Sequence, residues 1–323
     1  MKIMVTIVCT VYNHGKYLRE TLDSLTKQKT SFSFEIIVHD DASTDDSASI
    51  IREYENKYPL LIKAIYQSEN QFSKGVGIYD TFIIPIIKGK YVAICEGDDF
   101  WIDECKLEKQ VAYMESHPDC SFCFTNAIML NVQNGKKRKM LPYSKKENIM
   151  LKGNGVFNLG QLSKLSFVPY ASFLYPTKNY SLFPAYYNER CFGNDRKLSL
   201  YSTAIGYAYY LNEVTCCYRY GVSNSAMTKS KSKAKIAEIE RSFINLNNNI
   251  NKFSNYSYEE DFRLSNLQLL RNIYMLSGSS SLSKEELSFV KSHDTFVIKI
   301  VRFFVKNMPE WLFNFLRNMK RKL

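Results

Sequence analysis

The feature that most limits what this chain can fold into is a short apolar run that recurs four times in its first 95 residues, with a helix-period segment after each. The runs are Ile3–Cys9, broken only by Thr6, then Phe34–His39, Leu60–Tyr66 and Tyr91–Cys95. Between them, Leu18, Leu22 and Leu25, then Ile50, Ile51 and Tyr54, then Ile78, Phe82 and Ile86 recur at the spacing of one helix face. Pro85 is expected to kink or shorten the third of these helices, over 76–88. Runs that are continuously apolar, rather than alternating, suit strands covered on both faces. The resulting β-α-β-α-β-α-β order predicts right-handed crossovers and a mostly parallel sheet flanked by helices.

Sheets of that kind bind ligands beyond the C-terminal ends of their strands. That is where this chain gathers its acids. Asp40-Asp41-Ala42-Ser43-Thr44-Asp45-Asp46 follows the second run, and Glu96-Gly97-Asp98-Asp99-Phe100-Trp101 follows the fourth. Both clusters fall at one edge if the strands are parallel. Adjacent carboxylates at the end of a buried strand are costly without a cation, and a divalent metal carrying a phosphate ligand would supply one. The plainer reading is a solvated turn before a helix, with Asp99 or Asp103 as its cap, and Ser43 or Thr44 capping the helix before. Trp101 is expected to pack beneath the acidic loop. Gly75-Val76-Gly77 follows no strong strand, so no dinucleotide-binding fingerprint is read there.

A fifth strand is expected over Ser121–Met129, leading to the basic run Lys136-Lys137-Arg138-Lys139, either a solvated hairpin or an acceptor contact. Further strands are expected over Phe167–Tyr175 and Tyr209–Tyr220, with a helix opening at Phe192-Gly193-Asn194-Asp195. At 228–235 the composition turns to Lys and Ser, which places a domain boundary between residues 1–228 and a helical, basic region at 229–323. Helices are expected there over Ile236–Leu246, Glu259–Met275, Lys284–Val290 and from Thr295 onward. The stretch 296–323 mixes Phe303, Phe304 and Trp311 with Lys and Arg, and Pro309 divides it. It reads either as an amphipathic segment for an anionic membrane surface or as a helix pair packed on the body.

The net charge of +11, from 43 basic and 32 acidic residues, favours anionic partners. Zinc-finger spacing and RNA-binding consensus are absent, so nucleic acid ranks last among them. The eight cysteines are scattered and read as reduced, buried thiols of a cytoplasmic protein, free or peripheral on the cytoplasmic face of the membrane. His14, His39, His117 and His293 share no spacing and receive no role.

Five pieces in order carry a family resemblance that runs from about Met4 to Met227: Thr10-Val11-Tyr12-Asn13, Asp40 to Asp45, Glu96 to Trp101, Gly193-Asn194-Asp195 and Tyr218-Arg219. The sequence resembles the family 2 glycosyltransferases, nucleotide-sugar-dependent enzymes of the GT-A fold. The resemblance implies that Thr10, Tyr12, Asn13 and Asp41 hold the nucleotide, that Asp98 lies near the ribose, and that Asp99, with Asp98, ligates Mg2+ or Mn2+. It implies Asp195 as the base that deprotonates an acceptor hydroxyl in an inverting displacement. The donor it implies is a nucleoside-diphosphate sugar, UDP favoured, and the acceptor a saccharide or lipid-linked saccharide of cell-surface glycan synthesis. Two departures stand out. Ala42 replaces a common glycine, and no histidine follows Tyr218-Arg219, a gap that Arg219 or Ser225 would have to fill. The alternatives are a catalytically silent nucleotide-sugar-binding scaffold and, more remotely, a nucleotidyltransferase.

Overall fold

A computed structural model describes residues 2–141, 153–165, 167–188, 193–222, 232–295, 298, 303–305 and 307–313. Phe192, Ser225 and all seven basic residues of 296–323 lie outside the described residues.

The first half follows the predicted alternation. β1 (Val5–Val11), α1 (Gly15–Thr26), β2 (Phe34–Asp40), α2 (Ser47–Lys57), β3 (Ile62–Tyr66) and β4 (Tyr91–Ile94) come in that order. All three neighbouring pairs among these strands are parallel. Their doubly covered apolar runs form the core, and α1 lays Leu18, Leu22 and Leu25 on it with no exposure. Each such leucine contributes about 1.5–3 kcal/mol by burial. Gly89 enters β4 so close to β1 that a Cβ there would lie 2.3 Å from the Thr6 nitrogen, so glycine is required at that crossing.

The sheet continues through β5 (Phe100–Trp101), β6 (Cys120–Asn131), β7 (Lys137–Lys139), β8 (Gly155–Phe157), β9 (Leu174–Pro176) and β10 (Tyr207–Tyr220). The order is β3-β2-β1-β4-β9-β6-β10-β5, with β7 on β6 and β8 on β10. β9 runs antiparallel to β4 and β6, while β6 and β10 are parallel. Four helices complete this half: α3 (Lys106–Ser116), α4 (Leu159–Ser163), α5 (Asn179–Leu182) and α6 (Asn194–Ala204).

Three expectations are corrected. The helix over 76–88 is only a wide turn at Tyr79–Ile83 and a tight one at Ile84–Ile86, because Pro85 removes a backbone donor within it. The strand over Phe167–Tyr175 shrinks to β9, because Pro169 starts a tight turn in which Ser172 donates both its N–H and its hydroxyl to the Pro169 carbonyl. Helix α2 starts at Ser47 with Asp46, not Ser43 or Thr44, at its cap position; those two are engaged elsewhere.

The chain divides into two compact units, with the main break after Val222. The second unit holds α7 (Lys233–Phe253), α8 (Glu259–Ser277) and α9 (Lys284–Ser292). Ile244, Leu267, Leu270, Ile273 and Val290 form its core. Ser283 and Glu286 close a reciprocal cap at the start of α9, and Arg241 pairs with Glu286 at 2.5 Å. No helix among the described residues is long and apolar enough to cross a membrane.

Candidate active site

The C-terminal ends of β1, β2 and β4 bring three turns together. The first turn, after β1, is tied to the second, after β2. The Asn13 N–H donates to Ser43 Oγ at 2.9 Å, and Asn13 Oδ1 accepts from the Thr44 N–H at 2.7 Å. The His14 N–H donates to Ser47 Oγ at 3.0 Å. These bonds spend the Asn13 side chain on the loop, while Tyr12 stays 45% exposed. Thr10 lies beside His39 at the end of β1. Ala42 sits at φ 61°, the left-handed region that favours glycine, so its departure from the family glycine carries a real backbone cost.

Asp41 is buried, and both of its oxygens are engaged. They accept the N–H groups of Gln71 at 2.8 Å and Phe72 at 3.0 Å, which moors the loop after β3 at this corner.

The third turn is the acidic one. Thr21 on α1 donates its hydroxyl to the Asp99 carbonyl at 2.6 Å, and the Gly97 N–H donates to the Thr10 carbonyl at 2.9 Å. Trp101 is buried beneath, its indole N–H on the Ala171 carbonyl at 2.8 Å. The two aspartates have different surroundings. Asp99 is only 2% exposed, and its Oδ1 accepts the Arg219 N–H at 2.9 Å. Asp98 is the more open, with its side chain 18% exposed and Oδ2 3.9 Å from His14 Nε2.

Arg219 is the hub that sequence reading left undefined. Its guanidinium is 3% exposed, donates to the Asp98 carbonyl at 2.6 Å, and pairs with Glu20. The rings of Tyr17 and Phe100 lie 4.9 and 4.4 Å from it. Those contacts hold the acidic loop. His14 is the residue that sequence reasoning missed. No histidine follows Tyr218-Arg219, but the first turn brings one beside Asp98. Gly97 makes room for it, because a Cβ there would lie 2.8 Å from His14 Nδ1, a buried atom without a hydrogen-bond partner.

Asp195 opens α6 and meets this cluster electrostatically. Burial, then the charges of Asp98 and Asp195, push Glu96 up to about 8. Burial, then Asp98 and Glu96, push Asp99 up against the opposing pull of Arg219. Burial also raises Asp195, which the Arg196 N–H and charge oppose. Tyr218 is raised by burial and then by the charges of Asp99, Glu96, Asp98 and Asp195. A small apolar cleft lined by Leu162, Leu165, Phe167 and Leu200 opens at Asp195.

This donor set fits a divalent cation, since its excess negative charge is only partly met by Arg219. Among the described residues no three acidic, histidine or cysteine side chains form a ready cage. Mg2+ is commonly held by one or two carboxylates with substrate phosphates supplying the rest.

A mixed, mostly parallel sheet with its acids at the C-terminal edge defines a GT-A glycosyltransferase fold. The crystal structure of Staphylococcus aureus TarS 1-349 in complex with UDP-GlcNAc matches with a TM-score of 0.62, over 90% of this chain and 79% of that one, at 19% identity. The model of glycosyl transferase family 2 matches residues 6–170, and the chain belongs to that family. An uncharacterized protein of Mycobacterium tuberculosis is 39% identical over 140 residues, which is 43% of this chain and 39% of that protein. The Escherichia coli UDP-Glc:alpha-D-GlcNAc-diphosphoundecaprenol beta-1,3-glucosyltransferase WfaP is 32% identical over 113 residues, 35% of this chain and 42% of its own. The chain thus spans only about two fifths of the length of the curated relatives it matches.

Proposed function

We propose that residues 1–228 transfer a sugar, with inversion, from a nucleoside-diphosphate sugar to a hydroxyl of a saccharide or lipid-linked acceptor in cell-surface glycan synthesis. The observation that carries this reading is the gathering of the Glu96–Asp99 loop with the turns after β1 and β2 at the C-terminal edge of the sheet, with the charge of Asp195 felt at Glu96. UDP is the favoured nucleotide, in keeping with the UDP-sugars named for the TarS complex and for WfaP. The diphosphoundecaprenol in the name of WfaP supports a lipid-linked acceptor.

Asp195 takes the proton of the acceptor hydroxyl as its oxygen attacks the anomeric carbon and the nucleoside diphosphate departs. Burial suits it to this, because a raised carboxylate is the stronger base. Asp98, more open than Asp99, is the carboxylate that would hold Mg2+ or Mn2+ together with the diphosphate, and such a cation neutralises charge on the leaving group. Asp99 keeps the loop in place through the Arg219 amide. Thr10, Tyr12 and Asp41 border the seat of the nucleotide, and Asn13 fixes its wall.

The test is thermal stability with a panel of nucleoside diphosphates, with and without Mn2+. A ligand that binds only the folded state raises the melting temperature, by about 2.7 kcal/mol of stability at a hundredfold excess over Kd. UDP with Mn2+ is expected to stabilise the protein, and Asp98→Ala to remove the metal-dependent part together with transfer. Stabilisation that is unchanged by Mn2+ and by Asp98→Ala would sink the metal assignment.

A further inference from the structure

The hairpin of β6 and β7 rises from the same edge of the sheet as the acids. β6 runs parallel to β10, so both strands end at that edge. Arg219, whose amide holds Asp99, pairs with Leu130, and Leu130 pairs on its other side with Lys137. Two inter-strand steps of about 4.8 Å put the Lys137 backbone about 10 Å from that of Arg219. Two rows back toward the start of β6, Phe100 of the acidic turn, Cys217, Ile128 and Lys139 form a single line across four strands. The charge of Lys137 is felt at Cys217, alongside those of Arg219 and Asp99.

Lys136, Lys137, Arg138 and Lys139 are all exposed. Among the described residues none of the four forms an ion pair, and Arg138 only lays its guanidinium on Met129 Sδ at 3.3 Å. Lysines on an edge strand also discourage strand-to-strand aggregation, which is the plain account of them. One observation goes past that account. The four cations stand level with the acids that define where the acceptor hydroxyl must arrive, and unpaired cations beside a focus of negative charge steer anionic groups to that side of it.

We propose that the Lys136–Lys139 hairpin is an acceptor-binding subsite for a saccharide chain that carries anionic groups, phosphate or carboxylate. The proposal rests on the transferase reading above and names the acceptor class for the same site. A chain held at the hairpin would lie across the edge of the sheet with one hydroxyl directed toward Asp195, its neighbouring charges seated on Lys136, Lys137 and Lys139.

The experiment compares the full chain with two triple variants of equal charge. One combines Lys136→Gln, Lys137→Gln and Lys139→Gln. The control combines Lys27→Gln, Lys63→Gln and Lys88→Gln, exposed residues away from the hairpin. Binding is measured to sodium polyphosphate, to polygalacturonate and to neutral dextran at two salt concentrations, and UDP binding is measured alongside. The hairpin variant should lose about tenfold in affinity for one of the anionic polymers and flatten its salt dependence, with UDP binding intact. Polyphosphate or polygalacturonate as the polymer affected tells phosphate from carboxylate. The control should change less than about twofold. Equal losses in both variants would overturn the proposal in favour of diffuse charge attraction. A loss of UDP binding would reassign the hairpin to the donor diphosphate. If the native chain binds no nucleotide, the transferase reading fails while the polymer comparison still decides the hairpin.

Discussion

At the scale of single residues, Arg219 carries the most. It reaches the acidic loop through its own amide and through its guanidinium, and it is sandwiched by Tyr17 and Phe100. Lysine at this position keeps the charge but loses the planar fork, so it can serve either the Asp98 carbonyl or Glu20 but stacks poorly on the two rings. Arg219→Lys is expected to cost about 1.5–3 kcal/mol of stability, the worth of hydrogen bonds to a charged group. Glu20 is 61% exposed and contributes little of that. Because the loop loosens while the nucleotide wall does not, kcat should fall more than donor KM rises, and the Mn2+-dependent part of the UDP-induced stabilisation should shrink. Steady-state kinetics and thermal shifts on one preparation check both. An unchanged kcat in a destabilised variant would make Arg219 a structural residue only. Neither its partners nor the approach of His14 to Asp98 was legible in the sequence, because each joins segments far apart in the chain. The nearest signals were the Tyr-Arg pair near the end of the domain and a histidine directly after the first turn.

At the scale of elements, α3 presents a lysine where a core residue belongs. Lys106 has no exposure, donates to Gln110 Oε1 at 2.8 Å, and sits 4.2 Å from the centre of the Trp101 ring beneath the acidic loop. Burial lowers it to about 8, against the opposing influence of Cys216, Cys123, Cys95 and Asp103. The unfolded chain therefore holds this proton up to about pH 10.4, while the folded one releases it near 8. The cost of the buried charge is in full force below pH 8 and fades between pH 8 and about 10.4. Relative to Lys106→Met, the native protein should gain stability across that window, by an amount on the order of 3 kcal/mol. Denaturant unfolding of both proteins at pH 7 and pH 10 measures the difference, from which thiol titrations common to the two chains cancel. A constant difference would mean that Lys106 keeps its proton in the folded protein up to pH 10, so that burial does not lower it. The same helix shows where sequence reading works. Leu107, Val111 and Met114 declared its buried face, as the continuous apolar runs declared β1 to β4. Elements with little pattern of their own were missed. β5 is two residues inside the acidic motif and β8 is three residues, while the strand expected over Phe167–Tyr175 kept only β9, behind the turn at Pro169.

At the scale of the whole molecule, charge is distributed unevenly. Residues 296–323 hold seven Lys or Arg and one acid, Glu310, which is +6 of the chain's +11. Within that stretch Phe303, Phe304 and Trp311 are 67%, 64% and 70% exposed. Lys233, at the start of α7, donates to the Val305 carbonyl at 3.0 Å and to that of Met308, so these aromatics are tethered rather than trailing. Exposed aromatics within a basic segment suit an anionic bilayer surface, where rings enter the headgroup layer and cations stay outside it. A lipid-linked acceptor would be met at such a surface. The chain contains two tryptophans, and Trp101 is 4% exposed in the core, so a change in emission on adding vesicles reports Trp311. Vesicles rich in phosphatidylglycerol are expected to shift emission to the blue and to carry the protein into the pellet, with the effect falling as salt rises. Phosphatidylcholine vesicles should do neither. Trp311→Ser should abolish the shift and leave UDP-induced stabilisation as it was. Emission that stays put with anionic vesicles at low salt would mean that Trp311 meets something other than lipid, and the charge of this segment would then call for a protein partner.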